Sequence, residues 1–402
     1  MDAAPQREQS VKLAFNPDDF ARAAFFALLP LVAAGGAMGL PLLMGLAGLA
    51  AIRPSLFHQA LEKRPLALAL LAVFAAWAAA SALWSGWDGP TALKILATLA
   101  LGTLFAAAAA ANAKAARLTL AGGMAAFVVL VILLGIEAAW GLPLNRALNP
   151  ELPFGELNRN PSRGLVVLLA LVWPIVAALI AGGGPARAFA AVLVTVAAGV
   201  LSLQFGQLAT AIGYGFGLLV FAFAFLAPGF AVRSTTAGLA AWMLAAPFLT
   251  PVLFASQALS DAVPHSWAAR IGIWRYACAH IFEQPWIGHG LDAGRATTDR
   301  AIYDGEPMRA IPLHPHSASL QIWFETGAIG ATLAAAVLAF GGWRLARSFE
   351  HNKPAAAAAA GVLAMFGLMA NVGWSVWQEW WMATLLLTAG LVAAVGARAA
   401  RA

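Results

Sequence analysis

Twelve apolar runs succeed one another along the 402 residues, and no other feature narrows the possible folds as much. They lie near 20–35, 37–52, 65–84, 91–112, 118–140, 163–181, 187–203, 208–227, 236–254, 317–343, 355–373 and 376–397. A membrane crossing takes about 20 mainly apolar residues. Lipid offers no partner for a bare peptide group, so such runs must close their own hydrogen bonds as helices. Only 10% of the residues are charged and 61% are hydrophobic, where a soluble domain carries about a quarter charged residues. The expected fold is therefore an all-α polytopic membrane protein of about twelve transmembrane helices. The second run is short and follows a Gly35-Gly36 turn.

The distribution of basic residues orients these helices. With the N-terminus in the cytoplasm, the inner turns hold Arg53, Lys63 and Arg64; Lys114 and Arg117; Arg187; Arg233; Arg344, Arg347 and Lys353; and Arg398 and Arg401. The short outer turns near 85–90, 204–207 and 373–375 contain neither Lys nor Arg, as the positive-inside rule requires. Three regions result: helices 1–9 in residues 1–254, one long periplasmic loop at 255–315 with short amphipathic helices, and helices 10–12 in 316–402. The net charge of +6 is spread over these turns. It forms no basic stripe, so no nucleic-acid partner is expected. The segment before the first run mixes Asp2, Arg7, Glu8, Lys12, Asp18 and Asp19, unlike a cleaved signal. A single cysteine, Cys278, excludes an internal disulfide. Neither a His-x-x-x-His pair nor an Asp-rich cluster is present, so no metal site is expected. The alanine runs at 106–111 and 355–360 look like lipid-embedded filler.

Three polar stretches interrupt this apolar background. The first runs from His314-Pro315-His316-Ser317 to Glu325-Thr326-Gly327 and Gly330, where the long loop enters a helix. Proline favours a helix start, which places His316 in the first turn. On one straight helix Leu320, Trp323, Gly327 and Gly330 share its face, while Glu325 lies about 180° away and about 13 Å deeper. Glu325 is then a brace to another helix, since a carboxyl in lipid needs a partner or a function. An imidazole at the rim of a membrane cavity can take a proton near neutral pH; the same position also suits a helix-capping histidine. The second stretch, Ser266 to Phe282, reads as an amphipathic helix with Trp267, Ile271, Trp274, Cys278 and Ile281 on one side and Arg270 inside that face. Arg270 there either meets an anion such as phosphate or snorkels to the headgroups. Arg275 falls on the polar side. The turn Pro285-Trp286-Ile287-Gly288-His289-Gly290 follows. In the third stretch, Asn158-Arg159-Asn160-Pro161-Ser162-Arg163, Asn160 or Ser162 is positioned to cap the sixth span with Arg163 at its mouth.

Taken in order, Arg270…Trp274, Pro285…Gly288-His289-Gly290 and His316-Ser317…Leu320…Glu325…Gly327…Gly330 resemble the motifs of the O-antigen ligase and polymerase family of membrane glycan transferases. The close match covers about sixty residues, and the helix plan agrees generally. The resemblance implies a donor glycan on undecaprenyl diphosphate and a lipid A–core oligosaccharide acceptor, meeting in an outward cavity among membrane lipids. It implies an essential histidine at His316 and arginines that bind the donor diphosphate, with no cofactor, metal or nucleotide. One departure stands out. Members often carry a Ser-Arg pair at the outer start of the eighth span, where this chain reads Ser202 to Thr210 without arginine. Gln207 is the nearest polar candidate there, and Arg163 is a candidate replacement.

The chemistry expected from this resemblance is one inverting displacement at the anomeric carbon. His316 is the base on the acceptor hydroxyl, with His314 its rival. Arg270, with Arg163 or Arg275, receives charge on the leaving diphosphate, and Asn160, Gln207 and Trp274 complete the substrate-binding set. Three other readings stay open: an O-antigen polymerase, a protein O-oligosaccharyltransferase, and a small-solute transporter, though transporters gather polar groups at the midplane.

Overall fold

Each apolar run forms a helix in the computed structural model, which describes residues 17–53, 65–303 and 305–399. Of the residues used to orient the chain, Asp2, Arg7, Glu8, Lys12, Lys63, Arg64 and Arg401 lie outside these, as does the side chain of Arg398. The first half holds α1 (Pro17–Ala34), α2 (Leu40–Ala50), α3 (Pro65–Ala80), α4 (Thr91–Ala109), α5 (Ala113–Ala139), the short α6 (Pro143–Leu148) and α7 (Phe154–Leu157), α8 (Arg159–Ala181) and α9 (Pro185–Ser202). A 3-10 turn, Ser81–Trp84, extends α3. Then come α10 (Leu208–Phe223) and α11 (Pro228–Leu253), followed in the long loop by α12 (Gln257–Ala262), α13 (His265–Ile281) and α14 (Ala293–Ala296). The chain closes with α15 (Ala318–Ser348), α16 (Lys353–Val372) and α17 (Glu379–Ala399).

Among the described residues nine helices are long and apolar enough to cross a membrane, fewer than the twelve expected. The other three runs fall short for physical reasons. α2 has 11 residues and α10 has 16, against the roughly 20 that the hydrocarbon demands. α1 places Asp18, Asp19 and Arg22 inside its 18 residues. The chain is a multi-pass membrane protein by these criteria.

Two apolar cores organise the helices. One gathers α1, α2, α5, α8, α9, α16 and α17 around α8, which is buried on every side from Gly164 to Ala177. A helix apolar all round belongs in such a centre. Pairing is close where small residues face each other: a Cβ on Gly217 would lie 3.0 Å from the carbonyl oxygen of Gly361. The alanines 355–360 belong here. They are fully packed in the protein interior rather than turned to lipid, which corrects the reading of that run as filler. The second core joins α11, α13, the start of α15 and the end of α3.

The long loop is not purely helical. Arg300–Tyr303 (β1) and Glu306–Arg309 (β2) form an antiparallel ribbon with Arg300 opposite Arg309. Tyr303 anchors it, its hydroxyl donating to the Ala310 carbonyl at 2.9 Å and its ring lying against Gly272 of α13. The Asp304-Gly305 pair is a hairpin signal in the sequence; Asp304 itself lies outside the described residues.

Candidate functional site

The site is built on a broken helix. α15 starts at Ala318, not at Pro315, because the Ser317 side chain caps it by accepting from the Leu320 amide. At Gly327 its backbone turns to φ 65°, ψ −168°, a conformation essentially reserved for glycine. The straight helix expected over this stretch is thus interrupted, and the break frees peptide groups inside the membrane span. The Pro285–Gly290 segment takes them up. The amides of His289 and Gly290 donate to the carbonyls of Phe324 (2.8 Å) and Glu325 (2.9 Å), and Ala328 and Ile329 donate to those of Pro285 (2.8 Å) and Trp286 (3.2 Å). The Trp77 indole takes the Thr326 carbonyl and the Trp84 indole that of Gly288. Two backbones cross here at contact distance. A Cβ on Gly327 would stand 2.3 Å from the Trp286 carbonyl, and one on Gly288 would stand 2.5 Å from that of Glu325. The glycines of two motifs some forty residues apart serve one crossing.

Glu325 ties the same region together from within. Fully buried, its carboxylate accepts from the Asp292 amide (2.8 Å), the Gln321 side chain (3.0 Å) and the Trp377 indole (2.5 Å). Gln321 also donates to Ser375 and accepts from the Val376 amide. The brace expected of Glu325 therefore reaches a loop and the α16–α17 turn rather than the side of another helix.

His316 lies ahead of α15, outside its first turn, and adopts a left-handed backbone with φ 56°. A non-glycine residue held there is costly and commonly sits at a working site. Two contacts hold it. Its amide donates to Nδ1 of His314 (3.1 Å), and its own Nδ1 meets the Gly373 carbonyl at 2.8 Å. A carbonyl only accepts, so the hydrogen is on Nδ1 and the Nε2 lone pair of His316 is left free. Burial, against the Gly373 hydrogen bond and with help from the nearby Arg270 guanidinium, holds the His316 imidazole down to about 4. His314 is 4% exposed, with its ring 4.3 Å from that of His316. Burial, then His316, Arg295 and Arg270, hold it well below the ordinary histidine range. Both rings are neutral at pH 7.

Arg270 is half-buried on α13, its guanidinium 5.4 Å from the Trp267 ring centroid. Among the described residues no carboxylate or carbonyl accepts from it. Its field reaches both histidines, which places it on their side of the loop. Beside them an apolar crevice of about 450 Å³ runs between α10, α11 and α16, with Trp274, Ser317, Leu320 and Asn371 in its lining. Asn371 fixes that rim by accepting from the Trp242 indole (3.2 Å) and the Ser319 amide (3.2 Å).

The other expected residues divide. Trp274 is buried against Phe254 and lines the crevice. Arg275 does not face the histidines: its guanidinium donates to the Phe254 carbonyl through two nitrogens, at 3.0 and 2.5 Å, and bolts the end of α11 to α13. Asn160 and Arg163 belong to a different cluster, at the start of α8. Asn160 donates to Asn145 (3.0 Å) and accepts from Arg163 (3.5 Å), and neither it nor Ser162 caps the helix, since the Ser162 hydroxyl donates to the Asn158 carbonyl. The Asn158 side chain bonds the Phe205 carbonyl, which brings the turn bearing Gln207 to the same cluster. No hydrogen bond, ion pair or ring contact among the described residues joins Arg163 or Gln207 to His316. Conversely, Arg295, Asp292, Gln321 and Asn371 enter the histidine region without having been singled out. Gln321, one helical turn before Glu325, was the only one with a usable signal.

Comparisons with known proteins point the same way as the motifs. The chain is 26% identical over 229 residues to a protein of Rickettsia typhi named "Putative polysaccharide ligase", covering 55% of each chain. A protein of the same name from Rickettsia bellii is 28% identical over 232 residues, again 55% of each. The chain thus spans about half the length of the curated relatives it matches. This similarity agrees with the resemblance to the O-antigen ligase and polymerase family. No family model matches the chain, and no solved structure matches it.

Proposed function

We propose that the chain is a glycan transferase of the O-antigen ligase type, moving a glycan from undecaprenyl diphosphate to lipid A–core oligosaccharide at the periplasmic face of the inner membrane. One observation carries the reading: a neutral His316 with a free Nε2 precedes Ser317, and a guanidinium without an anionic partner, Arg270, stands one turn before Trp274, and Ser317 and Trp274 both line an apolar crevice. A lipid-linked diphosphate needs those three things together. The crevice suits part of an isoprenoid chain. Arg270 suits the diphosphate, because guanidinium matches phosphate oxygens in a fork and is stronger away from bulk water.

In this mechanism the acceptor hydroxyl gives its proton to Nε2 of His316 as its oxygen attacks the anomeric carbon. The bond from that carbon to the diphosphate oxygen breaks, and its electron pair stays on the diphosphate, where Arg270 stabilises it. A single attack inverts the anomeric centre. The imidazolium, hydrogen-bonded through Nδ1 to Gly373, then returns its proton to water. His314 supports the backbone of His316 and is too enclosed to meet an acceptor. The regions proposed to serve this reaction are the helices of 1–254, the periplasmic loop 255–315 and the helices of 316–402.

The test is reconstitution in liposomes with a lipid-linked glycan and purified lipid A–core, with EDTA present. Transfer that is lost in His316→Ala and Arg270→Ala supports the proposal. A ladder of extended glycans formed without lipid A–core would make the chain a polymerase. Uptake of solute without transfer would end the enzyme reading.

A further inference from the structure

This inference rests on the reading of Arg270 and His316 as a carrier-diphosphate site. A diphosphate presents more charge than one guanidinium neutralises, and the position where an arginine was expected holds Gln207, which the structure groups with α8 instead. We propose that Arg295 is the second guanidinium of this site, gripping the donor diphosphate opposite Arg270.

The backbone places it there. Gly294 packs on the strand of chain leading into the histidines: a Cβ at this glycine would lie 3.2 Å from the Leu313 carbonyl oxygen and 3.6 Å from the His314 Cα. Arg295 is the next residue. Its Nε donates to the Asp292 carboxylate at 2.9 Å, and its guanidinium lies 5.7 Å from the Trp87 ring centroid. Asp292 is itself fixed. It is 3% exposed, its carboxylate also accepts from the Thr91 hydroxyl at 2.8 Å, and its amide is held by Glu325. Only Nε of Arg295 is engaged, so both terminal nitrogens lack an acceptor among the described residues. Arg270 and Arg295 thus both rest a guanidinium on an indole with terminal nitrogens that meet no protein anion among the described residues, and they differ in that Nε of Arg295 is paired with Asp292. The two come from different parts of the loop, and His314 feels the field of both. Asp292 is a positioning residue in this scheme, because it orients the fork without reaching the ligand.

The experiment uses the full chain in detergent micelles and inorganic diphosphate as the probe, with binding followed by titration calorimetry. Arg295→Gln keeps a donor for Asp292 but removes the charge and the fork. It is expected to weaken diphosphate binding about tenfold or more, with an unchanged thermal midpoint. Arg295→Lys restores charge without the fork and is expected to recover part of the loss. Arg300→Ala, on the exposed ribbon, is expected to bind as the unsubstituted chain does. If Arg270→Ala loses binding while Arg295→Gln and Arg295→Ala bind normally, Arg295 is structural and the proposal is overturned. If the unsubstituted chain binds no diphosphate, the carrier reading fails and this inference with it.

Discussion

At the residue scale, the proposed chemistry depends on keeping one imidazole neutral and one nitrogen of it free. Because burial holds His316 down to about 4, the free protein keeps its base form through neutral pH. The rate at low donor concentration is therefore expected to stay flat from pH 8 to about 6.5 and to fall only on the acid side, below the ordinary histidine range. A pH profile of kcat/KM checks this; an acid limb centred at or above the ordinary histidine value would contradict the proposed base. The same depression links to stability. As pH drops below about 6.5 the unfolded chain binds a proton that the folded site refuses, so stability is lost between there and about 4. His314 offers a separate test, since its work is to accept the His316 amide through Nδ1. His314→Ala is expected to lower kcat about tenfold, and His314→Asn, which returns an acceptor at a similar place, to recover most of it.

At the element scale, the break in α15 is where fold and site meet. In a continuous helix the Phe324 and Glu325 carbonyls would pair with the Ala328 and Ile329 amides and leave the Pro285–Gly290 segment with nothing to bind. Gly327 and Gly288 permit the crossing because each has a positive φ and the partner backbone where a Cβ would be. Gly327→Ala is expected to destabilise the protein by about 2 kcal/mol or more, since strain and clash add. Thermal unfolding in micelles checks it, with Gly135→Ala, where a Cβ meets nothing within 4 Å, as the control. Glu325→Gln keeps the size but gives up one of two acceptor oxygens that serve three donors. It is expected to cost about 1–3 kcal/mol while leaving the proposed diphosphate binding unchanged.

At the scale of the whole molecule, the proposal requires the loop 255–315 to face away from the cytoplasm. Cys278 needs no replacement for a labelling test, since it is 3% exposed and burial pushes its thiol up to about 12. A cysteine at Gly305, on the exposed turn of the ribbon, is expected to react with a membrane-impermeant maleimide on spheroplasts. One at Gly183, between α8 and α9, is expected to react only after permeabilisation. The reverse pattern would place the site on the cytoplasmic side.

Local composition alone determined that helices fill the membrane, because apolar length and peptide hydrogen bonding are properties of each segment by itself. It also located the motif residues, since Arg270, His316, Glu325 and the glycines carry their chemistry in the side chain or in the lack of one. Which of them meet depended on the third dimension. A helix break cannot be read from one glycine, because glycine is tolerated inside helices too. The pairing of Pro285–Gly290 with 324–329 spans some forty residues and leaves no periodic trace. Arg275 and Arg295 look alike as loop arginines. Only packing turned one toward the Phe254 carbonyl as a bolt and held the other beside His314, because a guanidinium answers to whichever acceptors the folded chain brings within reach.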